Sequence, residues 1–247
     1  MKHRVFISPS DQTRNTYAYG NTNEAEQCGK VGKALKAALE RCDFEVMLVQ
    51  YETMASKCAK SDAFGAELHV PVHSNGFNGQ VAGTRLMCMN LNGQGYKACK
   101  AIYDKLAPIT PGKSEGISAQ PQLYEINTPK AYTAYVEIDF HDVDYVAKWI
   151  IEHTNDIAEA IAEGICNYFN VSYVKPTTDK EEEEGETENM TYYHTFNDLP
   201  DWAKKETQEL IDSGALRGKG DGVLDISEDL LRSIIISKRY SDSLLSK

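Results

Sequence analysis

Cys-x-x-Cys pairs are missing from this chain. Its six cysteines stand at 28, 42, 58, 88, 99 and 166, with no two at that spacing, which argues against a cysteine zinc knuckle. Basic charge is also scarce: 26 Lys and Arg face 37 Asp and Glu, a net charge of −11. Nonspecific nucleic-acid binding needs a basic face, so no nucleic-acid partner is expected. No apolar run approaches the length that crosses a bilayer, so no membrane span is expected. Near the N-terminus the apolar stretch is only Val5-Phe6-Ile7, too short for the core of a signal peptide. It reads as a first strand, and the thiols are then expected to be reduced, in a protein made in the cytoplasm without a signal peptide.

What is present suffices for a core. Hydrophobic residues make up 41% of 247 residues, enough for one medium domain with an appendage or for two domains. The stretch from Lys175 to Asn189 is charged, almost without apolar side chains, and broken by Pro176 and Gly185. Such a segment cannot bury enough surface to offset its ordering entropy. The expected organisation is therefore a domain over residues 1–174, an acidic flexible linker over 175–190, and a small helical unit over 191–247.

In the first domain strands and helices alternate. Strands are expected at Arg4 to Ile7, Phe44 to Val49, Leu68 to His73 and Thr84 to Met89, and around Leu123 to Ile126 and Thr133 to Phe140. Asn23 opens a helix to Cys42, with Glu26 three residues on and Cys28, Val31, Leu35 and Leu39 on one face. Further helices are read at Tyr96 to Leu106 and, as one long element, at Asp144 to Phe169. The fold class that follows is α/β, an open twisted sheet, mostly parallel or mixed, flanked by helices. In such sheets ligands gather beyond the carboxyl ends of the strands. In the second unit Pro200 starts a helix that Gly214 stops, and Ser227 caps another carrying Leu230, Leu231, Ile234 and Ile235.

Three residues stand out. Glu24 opens the first long helix, where the dipole favours any carboxylate by about 0.3–1 kcal/mol; that is the plain reading beside a metal-binding one. His73 ends a strand in which His69, Pro71 and His73 share one face and run into Ser74-Asn75-Gly76. A packed, hydrogen-bonded histidine is its structural alternative. His69, roughly 13 Å away along an extended strand, cannot bind the same ion and reads as a packing residue. Glu137 follows Ala134-Tyr135-Val136, where a carboxylate needs a partner or a task; a salt bridge is the alternative to catalysis.

Together the segments Asn-Thr-Asn-Glu24, Val-His73-Ser-Asn and Val-Glu137-Ile-Asp-Phe140 resemble the zinc-dependent N-acetylmuramoyl-L-alanine amidases of phage endolysins and bacterial autolysins. The resemblance covers roughly residues 1–172. It implies Zn²⁺ held by Glu24 and His73, Glu137 as the catalytic acid and base, and peptidoglycan as substrate. The family has a histidine shortly after its first strand, and here Ser8-Pro-Ser-Asp-Gln-Thr-Arg-Asn15 contains none. Aligned on the proline, Asp11 takes its place as third ligand, with His141 in reserve. Loss of that ligand leaves a second reading open, a non-catalytic wall-binding protein. Phe196-Asn-Asp-Leu-Pro-Asp-Trp202 with Leu210-Ile-Asp-Ser-Gly214 resembles an S-layer-homology-like repeat, which implies a wall polymer as partner. A helix-turn-helix or an oligomerisation hairpin, making homo-oligomers, is the other reading. Action on the wall would follow release through a holin pore or by lysis.

Overall fold

The structure is a computed structural model that describes residues 2–113, 115–176, 192–217 and 223–245. Chain contacts divide it into two units, Met1–Pro176 and Thr177–Lys247. Most of the expected linker, and residues 218–222 and 246–247, lie outside the described residues. No helix among the described residues is long and apolar enough to cross a membrane.

The first unit runs β1 (Arg4–Pro9), α1 (Glu24–Arg41), β2 (Glu45–Leu48), α2 (Met54–Phe64), β3 (Leu68–Asn75), β4 (Arg85–Cys88), α3 (Gln94–Leu106), β5 (Gly116–Ala119), α4 (Tyr124–Asn127), β6 (Tyr132–Thr133), β7 (Tyr135–Phe140), α5 (Asp144–Glu152) and α6 (Thr154–Phe169). The strand order is β2-β1-β3-β7-β4-β5, with β6 also on β3. All pairs are parallel except β4 with β7, which is antiparallel. The sheet is therefore mixed.

The two faces differ in chemistry. On one, Val5, Ile7, Leu68, Val70, Val72, Val136 and Ile138 meet Val31, Leu35, Ile102, Ile157 and Ile161 of α1, α3 and α6 in a single apolar core. On the other, Phe6 stacks on the fully buried His69 at 5.1 Å, and α2 and α4 bring polar groups inward. Lys57 of α2 is 1% exposed. Glu125 of α4 accepts a 2.5 Å hydrogen bond from Ser8 Oγ and lies 3.4 Å from His69 Nε2.

Several expectations need correction. The window Leu123 to Ile126 is not a strand but ends in the short helix α4. Ile126 N–H donates to Leu123 O, and only this turn carries Glu125 in to Ser8. The helix expected from Asp144 to Phe169 breaks at His153, whose Nδ1 meets Asp156 at 2.8 Å and whose ring stacks on Trp149. Strand β7 starts anew after Ala134 instead of running on from Thr133. Helix α2 carried no apolar stripe, because its buried residues are Lys57, Cys58 and Ser61. Its signs were local: Thr53 Oγ1 accepts from Ser56 N–H at 3.2 Å, and Gly65 ends it at φ +69°.

The second unit holds β8 (Tyr192–Thr195), a 3₁₀ turn (Phe196–Asp198), α7 (Asp201–Asp212), β9 (Val223–Ser227) and α8 (Glu228–Leu245). It is thus not purely helical: β8 and β9 pair antiparallel beside the helices α7 and α8 in the same unit. Its core is small, built on Tyr193, Leu199, Ala203, Ile226, Leu231 and Ile235. Ser227 does cap α8, accepting from Leu230 N–H at 3.3 Å.

Candidate active site

Sheet register brings the site together. His73 and Glu137 are direct partners across β3 and β7, so their side chains project on one side of the sheet near the strands' carboxyl ends. Glu24 arrives from the start of α1, which Asn23 caps by accepting from Glu26 N–H at 3.0 Å. The Glu24 carboxylate lies 2.8 Å from His73 Nδ1. A carboxylate only accepts, so Nδ1 carries the proton. Asn15 Nδ2 donates to the second Glu24 oxygen at 2.6 Å and to Gln12 Oε1 at 2.9 Å. Gln12 Nε2 lies 3.3 Å from His73 Nδ1, and Tyr135 stacks on the imidazole at 4.7 Å.

These contacts set the charges. Burial opposes ionisation of Glu24, but the hydrogen bond and charge of His73, with Asn15, outweigh it and lower its pKa. Burial likewise opposes protonation of His73, yet Glu24 and Glu137 prevail and its pKa is raised. Glu137 goes the other way. Burial lifts it to about 7, His73 offsetting part of the shift and the Glu24 charge adding to it. One of its oxygens, Oε2, is buried and meets no hydrogen-bond partner among the described residues. A carboxyl poised near neutrality can both accept and return a proton.

The remaining candidates fall elsewhere. Asp11, expected as third ligand, turns to Lys57, with Oδ2 3.0 Å from Nζ. A buried ammonium needs a counter-charge, and among the described residues Lys57 Nζ otherwise donates to the Pro9 carbonyl, at 3.1 Å. His141 donates from Nδ1 to the Ser74 carbonyl at 2.9 Å and stacks on Tyr17 at 5.1 Å, which leaves Nε2 as the ring's acceptor. It borders the same cavity as Glu24 and Glu137, about 440 Å³ in volume. A second cavity, about 340 Å³, is bordered by His73, Asp11, Glu125, Tyr124 and Tyr135, and Gln12 borders both. Sequence reasoning passed over Gln12 and Asn15. They stand three residues apart in the turn that precedes Glu24, but amides carry none of the chemistry that marks a site.

A family model for N-acetylmuramoyl-L-alanine amidase matches residues 5–167. The chain belongs to this amidase family. Among solved structures, the N-acetylmuramoyl-L-alanine amidase from Clostridium difficile 630 superposes with a TM-score of 0.60 at 17% identity, over 68% of this chain and 97% of that one. The catalytic domain of CwlV from Bacillus (Paenibacillus) polymyxa var. colistinus gives 0.58 at 18% identity, over 70% of this chain and 100% of its own. The catalytic domain of the CD27L endolysin targeting Clostridia difficile gives 0.56 at 19%, over 67% and 97%. At these identities the likeness is one of fold. No curated protein sequence gives a match.

Zinc, which the amidase resemblance implies, calls for three protein ligands and an open position. His73 and Glu24 offer an imidazole and a carboxylate already in contact, and Glu137 leaves a carboxylate oxygen unpartnered beside them. That donor chemistry fits a divalent cation at two positions. It does not fit at the third, where Asp11 is engaged by Lys57. Among the described residues no group of three or more His, Cys, Asp and Glu side chains is gathered for a metal ion.

Proposed function

We propose that this chain is a peptidoglycan hydrolase that cleaves the amide between N-acetylmuramic acid and L-alanine, with Glu137 as general acid and base. The observation that carries the reading is the placement of the Glu137 carboxyl, in register beside the His73–Glu24 pair and with one buried oxygen that meets no hydrogen-bond partner among the described residues. In this reading Glu137 takes the proton of the attacking water as it adds to the amide carbon. It then returns the proton to the departing alanine nitrogen, so that the C–N bond breaks to a carboxylic acid and a neutral amine. Asn15 and Tyr135 hold Glu24 and the His73 ring in place.

His73 and Glu24 would hold the Zn²⁺ expected of the family, with His141 in reserve as the third donor. Bound there, the ion would supply Lewis acidity toward the amide carbonyl and its water. Metal analysis of protein purified without chelator tests this. Stoichiometric zinc that falls on His73→Ala supports the assignment, and unchanged zinc content in that variant removes it.

The second unit would hold the enzyme on a wall polymer, raising the local substrate concentration through the tether. Access to the wall would follow holin-mediated release or lysis. The enzymatic reading is tested on purified cell walls, where L-alanine amino termini should appear without new reducing sugar. Zinc-loaded protein that binds walls yet leaves every wall type intact would instead favour the non-catalytic wall binder.

A further inference from the structure

The cavity beside Glu24 and Glu137 is bordered almost wholly by polar groups, among them Gln12, Asn15, Ser74, Asn75 and Asp142. Phe77 is the one apolar side chain among the described residues that border it, and it is 75% exposed. A single exposed aromatic on a loop is unremarkable by itself. Here the loop is fixed. The N–H groups of Phe77 and Gly79 both donate to Asp142 Oδ2 at 2.8 Å. Asn78 Oδ1 accepts from Gln80 N–H at 3.1 Å and Val81 N–H at 3.3 Å. Gly83 N–H donates to the buried Asp139 at 2.6 Å. The loop backbone is therefore pinned at several points, which places Phe77, largely exposed, at the border of the cavity.

A ligand for such a place has one apolar face and a polar edge. A pyranose ring has both, since its axial C–H groups form a face that packs on the electron-rich face of an aromatic ring. Its hydroxyl and acetamido groups then meet the surrounding amides and carboxylates. A peptide backbone offers no such flat apolar face. The second cavity, beyond Gln12, is more apolar, with Met54, Leu123, Tyr124 and Tyr135 along it beside Asp11, His73 and Glu125, and suits side chains of a peptide.

Building on the amidase reading, we propose that Phe77 is the platform for the muramyl sugar, so that the glycan lies on the Phe77 side of the reacting amide and the stem peptide on the Tyr124 side. Phe77 is thus a positioning and specificity residue and takes no part in bond breaking.

Binding tests the proposal without turnover. In the Glu137→Gln background, affinities for N-acetylmuramoyl-L-alanyl-D-isoglutamine and for the sugar-free dipeptide L-alanyl-D-isoglutamine are measured by calorimetry, with Phe77 intact, as Ala and as Trp. Phe77→Ala should weaken the muramyl ligand roughly tenfold, about 1.4 kcal/mol. It should leave the dipeptide unchanged, and Phe77→Trp should keep the wild-type preference. Saturation transfer to the sugar ring protons, relative to the peptide protons, should fall in the Ala variant. Equal weakening of both ligands would put the peptide on Phe77, and unchanged affinity for both would remove Phe77 from the site; either overturns the proposal. Phe77-dependent sugar binding in a protein that cleaves no wall would overturn the hydrolase reading alone. Wall cleavage with no Phe77 effect on muramyl affinity would overturn this inference alone.

Discussion

The two faces of the central sheet are built by different physics. Under α1, α3 and α6 the contact is apolar, and any of its side chains can be traded for another of similar volume at small cost. Under α2 and α4 the contact is polar: Ser8 and His69 meet the buried Glu125, and the buried Lys57 meets the half-buried Asp11. The first face supplies stability. The second fixes where Gln12 and Asp11 can go, and so shapes the active site above it.

Substitutions on the two faces should therefore fail in different ways. Leu35→Ala, on the apolar face, should lower unfolding free energy by about 2–5 kcal/mol at any pH, measured by urea denaturation. Glu125→Gln should lower it by about 1.5–3 kcal/mol, but only where Glu125 is ionised. Burial opposes its charge, yet the hydrogen bonds of His69 and Ser8 hold its folded pKa below the usual 4.5. Its stabilising contribution is thus complete above pH 4.5 and is lost as pH falls through the folded value. A Glu125→Gln deficit that persisted unchanged into strong acid would mean that shape, not charge, matters on that face.

Glu137 should show the opposite sign. Its folded pKa of about 7 exceeds the ordinary 4.5, so the folded state holds the extra proton and loses stability as pH rises between these values. Metal-free Glu137→Gln should be more stable than wild type at pH 8, by roughly 1–3 kcal/mol, and no more stable below pH 4.5. Equal stability at pH 8 would show that Glu137 is not desolvated. The smallest effect expected is that of Asn23→Ala, roughly 1 kcal/mol through loss of the α1 cap, with a modest fall in thermal midpoint.

The same contrast explains how much the sequence disclosed. Helix α1 was legible because Cys28, Val31, Leu35 and Leu39 repeat on one face, and β3 because His69, Pro71 and His73 alternate with Leu68, Val70 and Val72. Helix α2 was not, since the residues it buries are Lys57, Cys58 and Ser61, which form no apolar stripe. Glu24, His73 and Glu137 were readable as strand-end and helix-start residues, and the structure brings them together. The fate of Asp11 was not readable, because its partner Lys57 lies 46 positions along the chain on that unseen helix. Gln12 then stands beside His73 where the proline alignment had placed Asp11. Glu125 was hidden because a four-residue apolar window does not distinguish a strand from a helical turn.

The account turns on Glu137 as the proton carrier. The most direct test is the rate at which wild type and Glu137→Gln release L-alanine amino termini from purified cell walls, at matched zinc content and matched fold by circular dichroism. The account predicts release by wild type, without reducing sugar, and a rate about 10²–10⁴-fold lower for the variant. A variant that cleaves as fast as wild type would contradict it.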